Sequence, residues 1–293
     1  MRKRYYLETN VLYSLVNKIH LFVGNVDVTT SLLAYQEIIW GINEEQYHKR
    51  RTLLLKLKSS GLKLYPYLPI ECISIAFQVD ISNLPIVIEE KKLLWEQVNL
   101  VISCDNYQQY AQKLSELYDI DVENVKHYMS ERKYVNQNIA TSTIRENHIN
   151  LKRIEEERVR CPEYYNVSIE DLVHDPEKEP NRMIEREMLV EVLKVCNINF
   201  KESELKNAML KYDGKQLVAY ILGRNFYYWH RSRKMMPAGK NDSIDLEHLL
   251  YLRDEDFVIV SDDRLFSYST MKPMRINCED FLKEVSQEGN DNS

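Results

Sequence analysis

Residues 5–15 read YYLETNVLYSL. Tyr5, Tyr6 and Leu7 form a short β-prone run that stops at Glu8, Thr9 and Asn10. Val11, Leu12, Leu15 and Val16 then recur at helical spacing, with Thr9 the expected N-cap. The same step follows at once. Residues 26–30 read as a strand, and Ser31 opens a helix carrying Leu32, Leu33, Tyr35, Ile38 and Ile39, closed by Gly41. A helix over residues 44–57 and a strand over 62–67 continue the alternation. Strand, helix, strand, helix predicts a parallel α/β sheet.

From about residue 84 to 225 the chain instead reads as long, polar helix, with a break at Cys161-Pro162 and an acidic loop from His174 to Pro180. The α/β character resumes at Asn241. There Asp242 to Asp245 opens a helix with Leu246, Leu249 and Leu250, the strand Phe257-Val258-Ile259-Val260 follows, and Ser261-Asp262-Asp263 stands at its end. A strand over 274–276, a helix over 279–285 and a disordered tail over 287–293 complete the expectation. Neither end alone supplies enough strands to bury a sheet. The expected architecture is therefore one α/β core from residues 1–100 and 238–293, with a mainly helical insertion over 101–237.

Composition removes several classes of function. Seven glycines, with no Gly-x-Gly or Gly-Lys-Ser/Thr pattern, argue against a phosphate-cradling loop. A net charge of −6 argues against a protein that coats nucleic acid, but a local basic track stays compatible because charge reaches only about 8–10 Å at physiological salt. The five cysteines are scattered, which predicts reduced thiols and a cytoplasmic setting. The basic start is followed by an apolar run that Glu8, Asn10, Asn17 and Lys18 interrupt, unlike a signal sequence, and no run is long enough to span a bilayer; the expectation is a soluble protein without membrane contact. There is no His-Glu-x-x-His pattern and no plausible Ser/His/Asp partnership.

Four acids occupy one kind of place. Glu8 follows the first strand, Glu37 sits in the second helix, Asp245 lies in the first turn of a later helix, and Asp263 follows a strand. In an open parallel sheet these positions face one crevice. Carboxylates crowded there repel one another, and a divalent cation removes the conflict. Each acid also has a plainer reading: a solvated Glu, an exposed helix position, a capping pair for Asp242 and Asp245, a turn for Asp262-Asp263-Arg264. Asp242 fits an N-cap, which leaves Asp245 in the positive field of the helix start, where a carboxylate stays ionised.

These segments resemble the PIN-domain nuclease family. YYLETNVLYSL is similar to the family's opening strand, acid and helix, with Glu8 where Asp is usual; TSLLAYQEII resembles its second motif; NDSIDLEHLLYL and FVIVSDDRLF resemble the third and fourth; PMRINCEDFL is like the closing strand and helix. The resemblance covers roughly the first hundred and last fifty residues. It implies a three-layer fold with a central parallel sheet, a Mg²⁺ or Mn²⁺ site, and hydrolysis of phosphodiester bonds, in RNA more than DNA, by metal-activated water. Carried onto this chain, the catalytic and metal-binding set is Glu8, Glu37, Asp245 and Asp263, with Asp242 an additional metal candidate. Asn10, Ser261 and Asp262 would support it.

Two stretches lack acids. The first runs from His48 through Arg50 and Arg51 to Lys63 and reads as a solvated helix face. The second holds Arg224, Tyr227, Tyr228, Trp229, His230, Arg231, Arg233 and Lys234. Cations interleaved with rings suit single-stranded nucleic acid, although the rings could equally be core. The leading expectation is a cytoplasmic, toxin-like endoribonuclease whose insertion shapes substrate access or binds a protein partner or inhibitor, with a homo-oligomer left open. The alternatives are a catalytically inactive PIN-like binding module and a structure-specific DNA nuclease.

Overall fold

The computed structural model describes residues 3–118, 122–160, 179–199, 201–253, 256–267 and 274–291. Five parallel strands form one sheet: β1 (Arg4–Leu7), β2 (Asp27–Ser31), β3 (Lys63–Tyr65), β4 (Phe257–Val260) and β5 (Arg275–Ile276), in the order β3-β2-β1-β4-β5. The chain starts at the centre, builds outward through β2 and β3, and returns from the far end of the sequence to lay β4 and β5 on the other side. Arg4 pairs with Asp27 on one flank and Phe257 on the other, and Leu7 pairs with Val260. The two ends of the chain thus share one sheet.

The strands alternate cleanly. Tyr5, Leu7 and Val260 pack in one apolar cluster, whereas Tyr6, Phe257 and Ile259 pack in another. A period of two with both faces apolar means that helices cover the sheet on both sides, giving three layers. One face is covered by α1 (Thr9–Leu15), α2 (Leu32–Trp40), α3 (Tyr47–Ser59), α5 (Pro85–Ser103), α6 (Tyr107–Tyr118) and α12 (Cys278–Asp291). The other takes α4 (Pro69–Ala76), α8 (Glu179–Val195), α9 (Glu202–Leu210), α10 (Val218–Arg233) and α11 (Asp242–Glu247). Between them in sequence runs α7 (Val122–Arg160), 39 residues and about 58 Å long.

Residues from the middle of the chain are core. Tyr110 and Leu114 join the first cluster; Met188, Leu189, Leu205 and Tyr227 join the second. Helices from the stretch 101–237 thus share apolar clusters with the strands from both ends of the chain. The helix expected over 44–57 begins at Tyr47, after a turn in which Asn43 Oδ1 accepts from Gln46 N at 2.8 Å. The strand expected over 62–67 is confined to Lys63–Tyr65, because Pro69 starts α4. The tail expected from residue 287 is helical to Asp291, since Gln and Glu prolong a helix that Phe281 and Val285 anchor in the core. The break at Cys161-Pro162 and residues 174–178 of the acidic loop lie outside the described residues, while Glu179 and Pro180 open α8. Cys72, Cys104, Cys196 and Cys278 are free thiols. Among the described residues no helix is long and apolar enough to cross a membrane.

Candidate acidic site

The order β3-β2-β1-β4-β5 reverses direction between β1 and β4. Outside the carboxyl ends of two such strands the following loops diverge and leave a crevice. Leu7 and Val260 end those strands side by side, so Glu8 and Ser261 meet although 253 positions apart. Thr30 Oγ1 donates to Leu7 O at 3.0 Å and Arg275 Nε donates to Ser261 O at 2.9 Å, which fixes both strand ends.

Glu8, not Thr9, is the N-cap of α1. Its backbone is extended, and its carboxylate folds back so that Oε2 accepts from Asn10 N at 3.1 Å. Oε1 accepts from Ser261 Oγ at 3.1 Å. Only 2% of Glu8 is exposed, and burial pushes its carboxyl up to about 6. Asn10 is exposed and meets the acid through its backbone N–H rather than its side chain. Ser261 has the expected supporting position, since it also accepts from Asp263 N at 3.0 Å.

Because Thr9 is released from capping, its hydroxyl donates to Glu37 Oε2. His248 Nε2 lies 2.8 Å from the same oxygen. Burial alone would raise the Glu37 carboxyl, but His248 and Thr9, with Lys133 of α7, hold it below its usual value. Ser31 caps α2 as expected, accepting from Ala34 N at 3.3 Å. At the other end of α2 Arg50 donates to Glu37 O at 3.0 Å and Ile38 O at 2.8 Å. A Cβ on Gly41 would collide with the Arg50 guanidinium, so a larger residue there would displace this side chain from Glu37 O and Ile38 O. Arg50, expected on a solvated face, thus secures the helix that carries Glu37.

His248 is fully buried. Helix α11 ends at Glu247 and tightens into a 3-10 turn over His248–Tyr251, which rolls the imidazole inward. Burial lowers its affinity for a proton, yet Glu37, Glu8 and Asp245 together raise its pKa above the ordinary value. Asp245 stands among the same groups. Its carboxyl is pushed up to about 8, chiefly by burial, then by Glu37, Asp263 and Glu8 against the opposing effect of His248. The expectation that the helix start keeps Asp245 ionised fails because α11 has only six residues and cannot offset desolvation beside three other acids. No hydrogen bond to the Asp245 carboxylate is present among the described residues.

Asp263 Oδ1 accepts from Leu265 N at 2.7 Å and so turns the loop after β4 back into the crevice. Asp262 faces away, accepting from Cys278 N at 3.0 Å at the start of α12. Asp242 is neither the N-cap, which is Asn241, nor part of the acidic group. Its Oδ2 accepts from Tyr227 Oη, from Arg231 Nη2 at 3.0 Å and from Gly239 N at 2.8 Å. These three donors spend the carboxylate on the loop before α11. Compared with known proteins, the chain matches no family model, no curated protein and no solved structure.

Asp245 is thus within electrostatic reach of Glu37, Asp263 and Glu8, and Glu8 of Glu37. Among the described residues, however, no three His, Cys, Asp or Glu side chains already converge as a formed metal-ligand group. Glu8, Glu37 and Asp263 are each held by neighbouring donors instead, as like charges in one crevice favour. The donor set is still all oxygen, as a hard divalent cation prefers, and the half-buried Asp245 carboxylate has spare lone pairs on both atoms. A cation of that class fits these residues.

The basic and aromatic stretch divides along α10. Tyr227 is core and Arg231 is committed, donating to Pro237 O at 2.8 Å as well as to Asp242. Trp229 and His230 are half-buried, and Arg224 lies over the Tyr228 ring at 5.3 Å. Arg233, over the Trp229 ring at 5.4 Å, and Lys234 are exposed. Helix α7 crosses the same region: Gln137 Nε2 donates to Ala238 O at 2.9 Å, and His148 Nδ1 lies 2.7 Å from Ser232 O. Lys133, one turn before Gln137, is the basic group of α7 that acts on Glu37. A cavity of about 880 Å³ opens elsewhere, between α8, α9 and α10, lined by Leu205, Met209 and Val218 and by none of the four acids.

Proposed function

We propose that the chain is a PIN-like, metal-dependent nuclease that hydrolyses phosphodiester bonds in RNA. The reading is carried by one observation: the strand order reverses between β1 and β4, and four acids from both ends of the chain gather beside that point. The three-layer sheet supports it. Glu8, Glu37, Asp245 and Asp263 would hold Mg²⁺ or Mn²⁺, which when bound acidifies water and neutralises charge on a phosphodiester. Ser261 keeps Glu8 beside the Asp263 loop, and Arg50 keeps the Glu37 backbone in place. Lys133 adds positive charge on the Glu37 side, while Arg233 and Lys234 offer cations to the substrate backbone near α11.

The test is cleavage of labelled single-stranded RNA and DNA by the full chain with Mn²⁺. RNA cleavage that EDTA stops is expected, with Glu37→Ala and Asp263→Ala each reducing it about 100-fold or more, the usual cost of losing one group aimed at a reacting centre. Cutting confined to branched DNA would replace this reading by the DNA nuclease. A second reading, a PIN-like module that binds without catalysis, draws on Glu8, whose carboxylate oxygens both already accept hydrogen bonds. It predicts RNA binding with no turnover in any metal.

Substrate contact by α10 makes a separate prediction. Arg233→Ala and Lys234→Ala should each weaken single-stranded RNA binding by a similar factor for every sequence, and each should flatten the dependence of log affinity on log salt by about 0.7. Unchanged slopes in a fluorescence anisotropy titration remove α10 from the substrate path.

A further inference from the structure

Both hydrogen bonds that reach the Glu37 side chain fall on one atom. Thr9 Oγ1 and His248 Nε2 meet Oε2, and Oε1 accepts none among the described residues. An ionised carboxylate can only accept, so Nε2 carries the proton and donates whatever the state of Nδ1. Nδ1 is 2.6 Å from Tyr6 Oη, which in turn is 2.7 Å from Ser31 Oγ. Tyr6, Ser31 and His248 are each fully buried, and the Tyr6 ring stacks on Tyr251 at 5.4 Å with 10° between planes. The imidazole cannot rotate without breaking bonds at both nitrogens.

The neighbouring acids are restrained in the same sense. Glu8 has one oxygen on Ser261 and the other on Asn10 N, and Asp263 has Oδ1 on Leu265 N. Of the four, only Asp245 has two oxygens free of hydrogen bonds among the described residues. Calcium takes six to eight oxygens at about 2.3–2.6 Å and uses bidentate carboxylates readily; magnesium demands a near-ideal octahedron at about 2.0–2.1 Å. Single-oxygen donors held in place suit the smaller ion.

We propose that His248, backed by Tyr6 and Ser31 and joined by Thr9, clamps Oε2 of Glu37 so that the carboxylate meets a cation through Oε1 alone, and that this makes the pocket select Mg²⁺ or Mn²⁺ over Ca²⁺. His248 is a positioning residue in this scheme and touches neither cation nor substrate. The inference rests on the metal-dependent reading above. Outer-layer hydrogen bonds of this kind ordinarily change metal affinity by about 10–100-fold.

The ratio of Mn²⁺ to Ca²⁺ affinity isolates the clamp. Both ions carry two charges, so any change in local charge on replacing the imidazole affects them equally and cancels. Manganese EPR titration of the full chain, with calcium as competitor, measures it. His248→Leu should move the ratio toward calcium by about tenfold. His248→Gln, whose amide N–H reaches nearly as far as Nε2, should hold it within about threefold, and Thr9→Val should move it in the same direction as His248→Leu. An unchanged ratio in His248→Leu, or equal shifts in the Leu and Gln variants, overturns the clamp while leaving metal binding intact. Should His248→Leu not fold, Thr9→Val alone decides. If the unaltered chain binds neither ion, the metal-dependent reading fails and takes the clamp with it.

Discussion

Replacing Asp245 by Asn is expected to raise the melting temperature of the metal-free protein at pH 8 by roughly 5 °C, and to reduce Mn²⁺-dependent cleavage about 100-fold or more. The opposite signs come from one cause. Asp245 is half-buried beside Glu37, Asp263 and Glu8, and its carboxyl is pushed up to about 8. A group that holds its proton more tightly folded than unfolded makes the folded state lose stability as pH rises. For Asp245 the loss begins near the ordinary aspartate range and is complete above about pH 8. Glu8 adds to it between about 4.5 and 6. His248, also raised, contributes stability that is full below its ordinary value near 6.5 and fades as pH climbs through its folded value. Glu37 is lowered, so its contribution is already full above the ordinary glutamate range and stays constant through this window. The acidic-site groups that titrate between pH 5 and 8 therefore act in the same direction, opposed by His230, whose pKa is lowered by burial and by Lys234, Arg231 and Arg233. The metal-free protein should lose several degrees of melting temperature across that window, and Asn at 245 should remove most of the loss above pH 6. Mn²⁺ at a hundredfold excess over its Kd should stabilise the unaltered protein by about 2.7 kcal/mol at pH 8, and the same concentration should stabilise it less at pH 5, where protons compete for the acids. A melting temperature in EDTA that is flat from pH 5 to 8 would contradict the crowding of these acids.

The strand ends carried most of what the sequence disclosed. Tyr5 to Glu8 and Phe257 to Asp263 each show an apolar run ending in an acid, and those two runs became adjacent central strands. Pattern along a chain reports which side chains are apolar, but not which hydroxyl a carboxylate will choose. Thr9 looked like a cap because Thr commonly is one; Glu8 took the position because its backbone is extended and its longer side chain reaches back to Asn10 N. His248 follows Asp245 by one helical turn, and on a regular amphipathic helix that spacing suggests the same wet face. The 3-10 turn that buries it depends on Tyr6 and Glu37, both more than 200 residues away. Lys133 could not be singled out within 39 residues of polar helix, since its action on Glu37 depends on how α7 lies in the fold, where Gln137 one turn later donates to Ala238 O. The apolar residues of α8 to α10 read as an insertion because helical periodicity does not say which core a helix serves.

Asp242 and Asp245 are separated by three residues and by opposite expected phenotypes. Asp242→Ala should destabilise the protein by about 3 kcal/mol, near the lower end for breaking a buried pair, because both partners are more than four-fifths buried (side chains 17% and 19% exposed). The carboxylate also accepts from Tyr227 Oη and Gly239 N, so its loss strands three donors, one of them a phenol whose deprotonation burial and Asp242 already make harder. A Cβ on Gly239 would stand 2.3 Å from Asp242 Oδ1, so Gly239→Ala should mimic part of the defect by driving the acid out of its clasp. Yet Asp242 is not among the largest influences on Glu8, Glu37 or Asp245. Urea denaturation should thus show a large drop for Asp242→Ala, whereas Mn²⁺ affinity of the folded fraction should stay within about threefold. Arg231→Ala should cost nearly as much, and the double variant much less than the sum, since each single change leaves the other charge without its partner. Were Asp242→Ala instead to abolish Mn²⁺ binding with little loss of stability, the cation would sit one turn earlier on α11, and the three donors now on Asp242 would have to find other acceptors.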